Sequence, residues 1–237
     1  MMEVELYDPW AALRATEKDA PYSELDSKRW GIDTYRTYPA SKNDLLEYQD
    51  SFVIARIDAN RLDLVQFATK HGYFLCDTLT YWKGPCAGVG YKSLPVGYHM
   101  RPIKPSDDLA PLAKESFADY LGHYHADPKT KPQAEAVYVE WTEALKTHGV
   151  VIEHEGKIVA YGEFSAPCDL TLGGVDKAHN GKGLYTAFAR ACARWGNSNR
   201  VGEITISTQI TNLAVQKVWT RMGLVPYKHV YTLHRWP

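Results

Sequence analysis

The 237-residue sequence has no long apolar run, no marked excess of either charge and no paired cysteines. Each lack excludes something. No stretch approaches the roughly 20 consecutive apolar residues that span a bilayer, so no membrane insertion is expected. A net charge of −1 gives no field that would gather nucleic acid or an anionic lipid surface. The four cysteines, Cys76, Cys86, Cys168 and Cys192, form no C-x-x-C pair and no zinc-like spacing. They are expected as buried thiols in a reducing compartment. The opening residues lack a basic segment followed by an apolar one, so the expected location is cytoplasmic. The sequence also lacks the G-x-G-x-x-G spacing of dinucleotide sites and the Gly-Lys-Ser/Thr end of a Walker loop.

What is present is a glycine loop between a strand and a helix. Asp169 to Val175 reads as a strand, followed by Asp-Lys-Ala-His-Asn-Gly-Lys-Gly183. The next stretch carries apolar residues at Leu184, Ala187, Phe188, Ala191, Cys192 and Trp195, the spacing of one helix face. The first amides of a helix have no intrahelical acceptor, and the dipole is positive there. Glycines let a bulky anion approach the backbone. The loop therefore predicts a phosphate grip, formed by Asn180, Gly181, Lys182, Gly183, Leu184 and Tyr185.

The order of elements around the loop narrows the fold. Residues 1–50 read as polar and irregular. Phe52–Ile57 predicts a strand, Asn60 caps a helix that Gly72 stops, and Tyr73–Trp82 predicts an aromatic strand. Gly84–Gly97 reads as a linker. From Tyr98 the prediction is strand, a helix over 109–120 capped by Ser106-Asp-Asp, a polar loop over 122–128 and a helix over 133–147. A hairpin turning at Glu155-Gly156, the strand into Val175 and the loop helix follow. Glu203–Ser207, a helix opened by Asn212 and stopped by Gly223, and a strand over Tyr227–Trp236 complete it. This last unit repeats the plan of residues 52–82, which suggests a degenerate duplication whose first copy has no cofactor loop. Two domains are expected, 1–97 and 98–237. The closing strand is a candidate to pair across a two-fold axis in a homodimer.

This order and loop resemble the GNAT family of acetyl-CoA-dependent N-acetyltransferases, whose loop reads Gln/Arg-x-x-Gly-x-Gly/Ala. Here Asn180 stands at the first position and Tyr185 at the last. The resemblance implies an α+β fold with a mixed, mostly antiparallel central sheet flanked by helices, and a smaller half-GNAT-like N-terminal domain. It implies acetyl-CoA as cosubstrate. A narrower resemblance is to the dTDP-fucosamine acetyltransferases of bacterial surface-polysaccharide synthesis. It rests on Asp26–Ile32, Val53–Asp58 with His71–Phe74, Tyr138-Val-Glu-Trp141, and Thr208-Gln209…Asn212…Gly223. It implies a nucleotide-linked 4-amino-4,6-dideoxyhexose as acceptor. Another small amine, such as an aminoglycoside or an amino acid, or a degenerate acyl-CoA-binding role, are the alternatives. The family's general acid is a tyrosine at the position of Trp219, and an indole cannot give up a proton as a phenol does.

The chemistry assigns candidate roles. Backbone at Gly173, Gly174 and Val175 is expected to hold the pantetheine arm, with an amide near Gly174 or Val175 polarising the thioester carbonyl. Asn212 belongs to the same cofactor set. Glu163 is the first candidate for the base that deprotonates the amine, with His148 and His154 as rivals. Tyr227, with His229 and Tyr231 on its strand face, is a candidate donor in place of the hydroxyl missing at Trp219. His123-x-His125 with Asp127 has metal-ligating residue types, but no further ligands converge. No metal is expected, and His125 and Asp127, with Gln209, are read as substrate contacts.

Overall fold

The computed structural model of the protein describes residues 22–144, 148–165 and 167–237. The chain divides into two compact units. Among the described residues, those up to Leu79 and Lys228–Pro237 form one, and those between Thr80 and Tyr227 form the other. Strands β3 (Phe74–Pro85) and β9 (Val225–Arg235) are each divided between them. The architecture is the mixed, mostly antiparallel sheet flanked by helices that the resemblance implies.

In the first unit, α1 (Glu24–Trp30) and β1 (Thr34–Thr37) occupy a stretch expected to be irregular. The reason is a charge cluster with no hydrophobic periodicity. Asp26 is buried and accepts from Arg29 at 2.9 Å and Arg36 at 2.6 Å, while Ser23 caps the helix. β2 (Phe52–Asp58) pairs parallel with β1 and antiparallel with β9. β9 therefore has its edges against β2 and β3. The two-fold pairing expected of this strand is overturned, because its backbone groups are already used. Helix α2 (Leu62–Lys70) begins after Arg61 without a side-chain cap, so Asn60 does not serve as one. Gly72 does end the segment, at φ 83°. Val53, Ala55, Ile57, Leu64, Ala68 and Leu233 form the core.

In the second unit the strands follow the order β3-β8-β7-β6-β5-β4, with β4 (Tyr98–Pro102), β5 (Gly149–His154), β6 (Lys157–Ser165), β7 (Asp169–Val175) and β8 (Glu203–Gln209). The β5–β6 hairpin turns at Glu155 (φ 50°) and Gly156 (φ 76°), the positive pair that a two-residue hairpin needs. Helix α3 (Ala110–Phe117) starts after Leu109, and Asp108 of the Ser106-Asp-Asp run accepts from Ala110 N at 3.2 Å. Asp107 takes a bidentate bond from Arg101 at 2.8 and 2.9 Å. A short helix, α4 (His123–Ala126), replaces the expected polar loop, and α5 (Ala134–Ala144) follows it; residues 145–147 of the expected helix lie outside the described residues. Helices α6 (Leu184–Ser198) and α7 (Leu213–Arg221) complete the unit.

A bulge sets which way β7 faces. Glu163 pairs with Leu172 and Phe164 with Leu170, so Thr171 is an extra residue. One extra residue turns the strand over. Leu170 joins the core under α6, with Phe164 and Phe188, while Leu172 joins the core under α3 and α5, with Tyr161 and Phe117. Phe188 lies directly on the sheet. A Cβ on Gly173 would come within 2.8 Å of its ring, and one on Gly162 would come as close.

Two outcomes are expected. Asp26→Asn leaves two arginines without their buried partner and costs about 3–5 kcal/mol, read from denaturant unfolding. Burial pushes the Asp26 carboxyl up, but Arg36 and then its other partners hold it below the usual range. Its stabilisation is present above the unfolded value near 4 and is lost as pH falls through the lower folded value. Gly173→Ala overpacks Phe188 and costs about 1–3 kcal/mol. Adding Phe188→Leu recovers part of that loss in a double-mutant cycle.

Candidate active site

The site is built where two parallel strands part. β7 and β8 run side by side with a single register pair, Asp169 opposite Thr205, beside a bond from Thr205 N to Cys168 O at 3.0 Å. Beyond that pair, β7 continues to Val175 with no ladder partner on β8 among the described residues. Parallel strands that separate toward their carboxyl ends open a crevice there. The edge of β7 facing it carries Leu172, Gly173, Gly174 and Val175. Gly173 and Gly174 are glycines for packing reasons: Phe188 of α6 covers one face, and Ser116 of α3 with Tyr161 covers the other.

The glycine loop closes the end of this crevice. Asp176 accepts from Ala178 N at 2.7 Å and starts a short 3-10 turn over Lys177–His179. Asn180 is extended, Gly181 has φ 77°, and Gly183 caps α6 at φ 79°. No side chain caps α6, and its first turn holds no acidic residue. The first intrahelical bond is Ala187 N to Gly183 O at 3.0 Å, so the amides of Leu184, Tyr185 and Thr186 have no helical acceptor. The two lysines of the loop are engaged. Lys177 pairs with Asp119 at 2.9 Å, and Lys182 donates to the Tyr98 hydroxyl at 2.7 Å. Tyr98 also bonds His179 Nδ1 at 2.8 Å and leans on His154. A further cation comes from the linker: Lys92 lies beside Gly183, held there as Arg190 bonds Gly90 O at 3.1 Å and Arg194 covers the Tyr91 ring.

The other predicted residues fall into separate surroundings. Glu163 sits on β6, 1% exposed, on the sheet face shared with Tyr161. Tyr161 is itself buried and bonded to Thr142 at 3.0 Å. His125 stacks on Tyr138 at 5.5 Å. Neither of its ring nitrogens has a hydrogen-bond partner among the described residues, and the same holds for Ser116 Oγ. Burial holds the His125 ring below its ordinary pKa, so it is neutral at neutral pH. Asp127 is buried and accepts from Lys129 N at 2.8 Å, which tightens the turn after α4. Gln209 ends β8; its backbone oxygen accepts from Asn212 N at 2.9 Å. Asn212 caps α7 by accepting from Val215 N, and it donates to Thr208 at 3.0 Å. Tyr227 is 47% exposed beside Tyr81 and Lys83. His148 lies against Trp195.

Trp219 is 1% exposed and is the largest fully buried side chain among the described residues. It packs edge-on against Trp82, and its Nε1 donates to the Tyr185 hydroxyl at 3.2 Å. The structure thus joins two residues that the sequence reading assigned to separate roles. The Tyr98 anchor, Lys92 and Ser116 were missed. Local pattern carries no signal for a bond between residues 98 and 182.

Residues 99–225 match the model of a GNAT acetyltransferase domain. The chain is 24% identical over 201 residues to the spore coat polysaccharide biosynthesis protein SpsD of Bacillus subtilis (strain 168), across 80% of this chain and 68% of that protein. Among solved structures it is similar to a GCN5-related N-acetyltransferase from Sphaerobacter thermophilus. That match has a TM-score of 0.57 and 15% identity over 78% of this chain, which spans only 59% of that one. It is also similar to a Drosophila protein, with a TM-score of 0.64 and 14% identity over 95% of this chain and 86% of the other.

Proposed function

The chain belongs to the GNAT acetyltransferase family, whose members take acetyl-CoA as acyl donor, and from that premise we propose the following reaction. The protein acetylates the amine of a small amino sugar, with a nucleotide-linked 4-amino-4,6-dideoxyhexose as the favoured acceptor, in the cytoplasm. Residues 98–237 form the catalytic domain in this reading, and residues 1–97 a smaller domain without a cofactor loop. The observation that carries it is the uncapped start of α6 at the end of a strand edge that faces an open crevice. The loop from Asn180 to Tyr185 holds the pyrophosphate, with the amides at the start of α6 as its donors, and Lys92 and Lys182 supply positive charge beside it. The pantetheine arm adds along Leu172–Val175 as an extra strand. An amide at Gly174 or Val175 receives the developing oxyanion. Asn212 fixes the start of α7 on the other side.

Glu163 takes the proton from the acceptor ammonium, since an amine attacks only with its lone pair free. Neutral His125, with Asp127 and Gln209, contacts the acceptor, and the open ring nitrogens of His125 suit sugar hydroxyls. The amine attacks the thioester directly. Burial pushes the Cys86 thiol up to about 12 and Cys192 well above its ordinary value, which leaves them poor nucleophiles. The amino-sugar assignment rests on the narrower resemblance and on the relative named for polysaccharide biosynthesis.

The test is thiol release from acetyl-CoA with a panel of nucleotide-linked amino sugars, aminoglycosides and amino acids. Turnover confined to the last two groups overturns the sugar assignment. Tight acetyl-CoA binding without any turnover points instead to an acyl-CoA-binding protein, a reading that the burial of Trp219 at the acid position favours. A second variant tests the grip. Thr186→Glu puts a carboxylate in the first turn of α6, which favours the helix by about 0.3–1 kcal/mol. The same charge repels the pyrophosphate, so acetyl-CoA affinity falls by about tenfold on the scale of one nearby like charge. Thermal melting and calorimetric titration read the two opposite effects.

A further inference from the structure

We propose that Tyr185 is the proton donor to the departing thiolate and that Trp219 is its positioning residue. The inference rests on acetyl-CoA being the acyl donor. Tyr185 is the second residue of α6, and its amide, not its side chain, belongs to the pyrophosphate grip. Its ring meets Phe188 edge-on at 4.7 Å, which turns it back along the helix and over the sheet. Its hydroxyl has one described bond, and in that bond it is the acceptor: the Trp219 indole donates to it at 3.2 Å. An indole has no acceptor to offer in return. The phenol's own proton therefore has no acceptor among the described residues, although the hydroxyl sits between two helices.

A sheltered donor with no acceptor is aimed at something absent from the chain itself. Its surroundings say where. The helix that carries Tyr185 follows β7, and the helix that carries Trp219 follows β8, so their shared bond lies where the two strands have parted. A pantetheine arm that leaves the loop and adds to β7 carries its sulfur into that region.

The step balances as written. The carbon–sulfur bond of the tetrahedral adduct breaks and its electron pair stays on sulfur. The Tyr185 O–H bond breaks and its proton goes to sulfur, giving free CoA. The phenolate is held by the Trp219 N–H and regains a proton, equal to the one removed from the acceptor ammonium, through solvent. No oxidant or further reactant enters.

The experiment compares Tyr185→Phe with the wild-type full chain in two ways. The first needs no acceptor: affinities for CoA and desulfo-CoA are measured by calorimetry. In the wild type CoA binds about 5–10-fold more tightly, the range of one hydrogen bond to sulfur. In Tyr185→Phe the two ligands bind alike. The second is turnover with the best amine of the panel, where kcat falls by about 100-fold while the acetyl-CoA affinity stays within about twofold. Trp219→Phe keeps the phenol and removes its donor; there the preference for CoA over desulfo-CoA shrinks, which serves if Tyr185→Phe does not fold. A preference unchanged in these variants overturns the proposal, as does a kcat within about threefold of wild type in Tyr185→Phe. Failure of the wild type to bind either ligand instead removes the acyl-donor reading on which the proposal stands.

Discussion

The seat of Phe188 on the sheet is the contact from which the second unit takes its geometry. The ring lies where Gly162 and Gly173 leave no side chain, so α6 packs against the backbone of β6 and β7. That close approach fixes where α6 begins relative to the end of β7. The loop between them is then short, and it must pass through two positive-φ glycines to turn the chain from strand to helix. The amides at the start of α6, the edge of β7 and the hydroxyl of Tyr185 are all placed by this one helix–sheet contact.

The bulge at Thr171 adds a second constraint. Without the extra residue, Leu170 and Leu172 would face the same side. With it, β7 contributes to the cores on both sides of the sheet, and Gly174 turns toward Ser116 while Gly173 turns toward Phe188. The strand is thus pinned from both faces, and its edge backbone toward β8 remains clear. Packing fixes the strand, and the side chains are spent on that packing, which leaves main-chain groups as what this edge presents.

Much of this was legible because it is local. β7 begins and ends at the residues the pattern indicated, the hairpin turns at Glu155-Gly156, and the stripe from Leu184 to Cys192 is the buried face of α6. Short-range chemistry fixes such features. The site was legible only in its backbone part. Tyr98 with Lys182, and Tyr185 with Trp219, join positions far apart in sequence, so no window of residues contains both partners. The same limit explains α1, whose stability comes from Asp26 meeting Arg36 rather than from periodicity, and β9, whose aromatic texture said nothing of the strands on its two edges. The two loop lysines are engaged by Asp119 and Tyr98, partners distant in sequence that no local pattern reveals.

The bare start of α6 has a thermodynamic side. A helix whose first amides meet neither a side-chain cap nor a carboxylate in its first turn is less stable than it could be. An anion seated there supplies what the sequence omits, and it does so only in the folded state. Folding and occupancy are then linked equilibria: a ligand at a hundred times its dissociation constant adds about 2.7 kcal/mol to the stability of the unit that holds it. An anion that occupies this helix start thereby raises the resistance of the unit to heat and proteolysis.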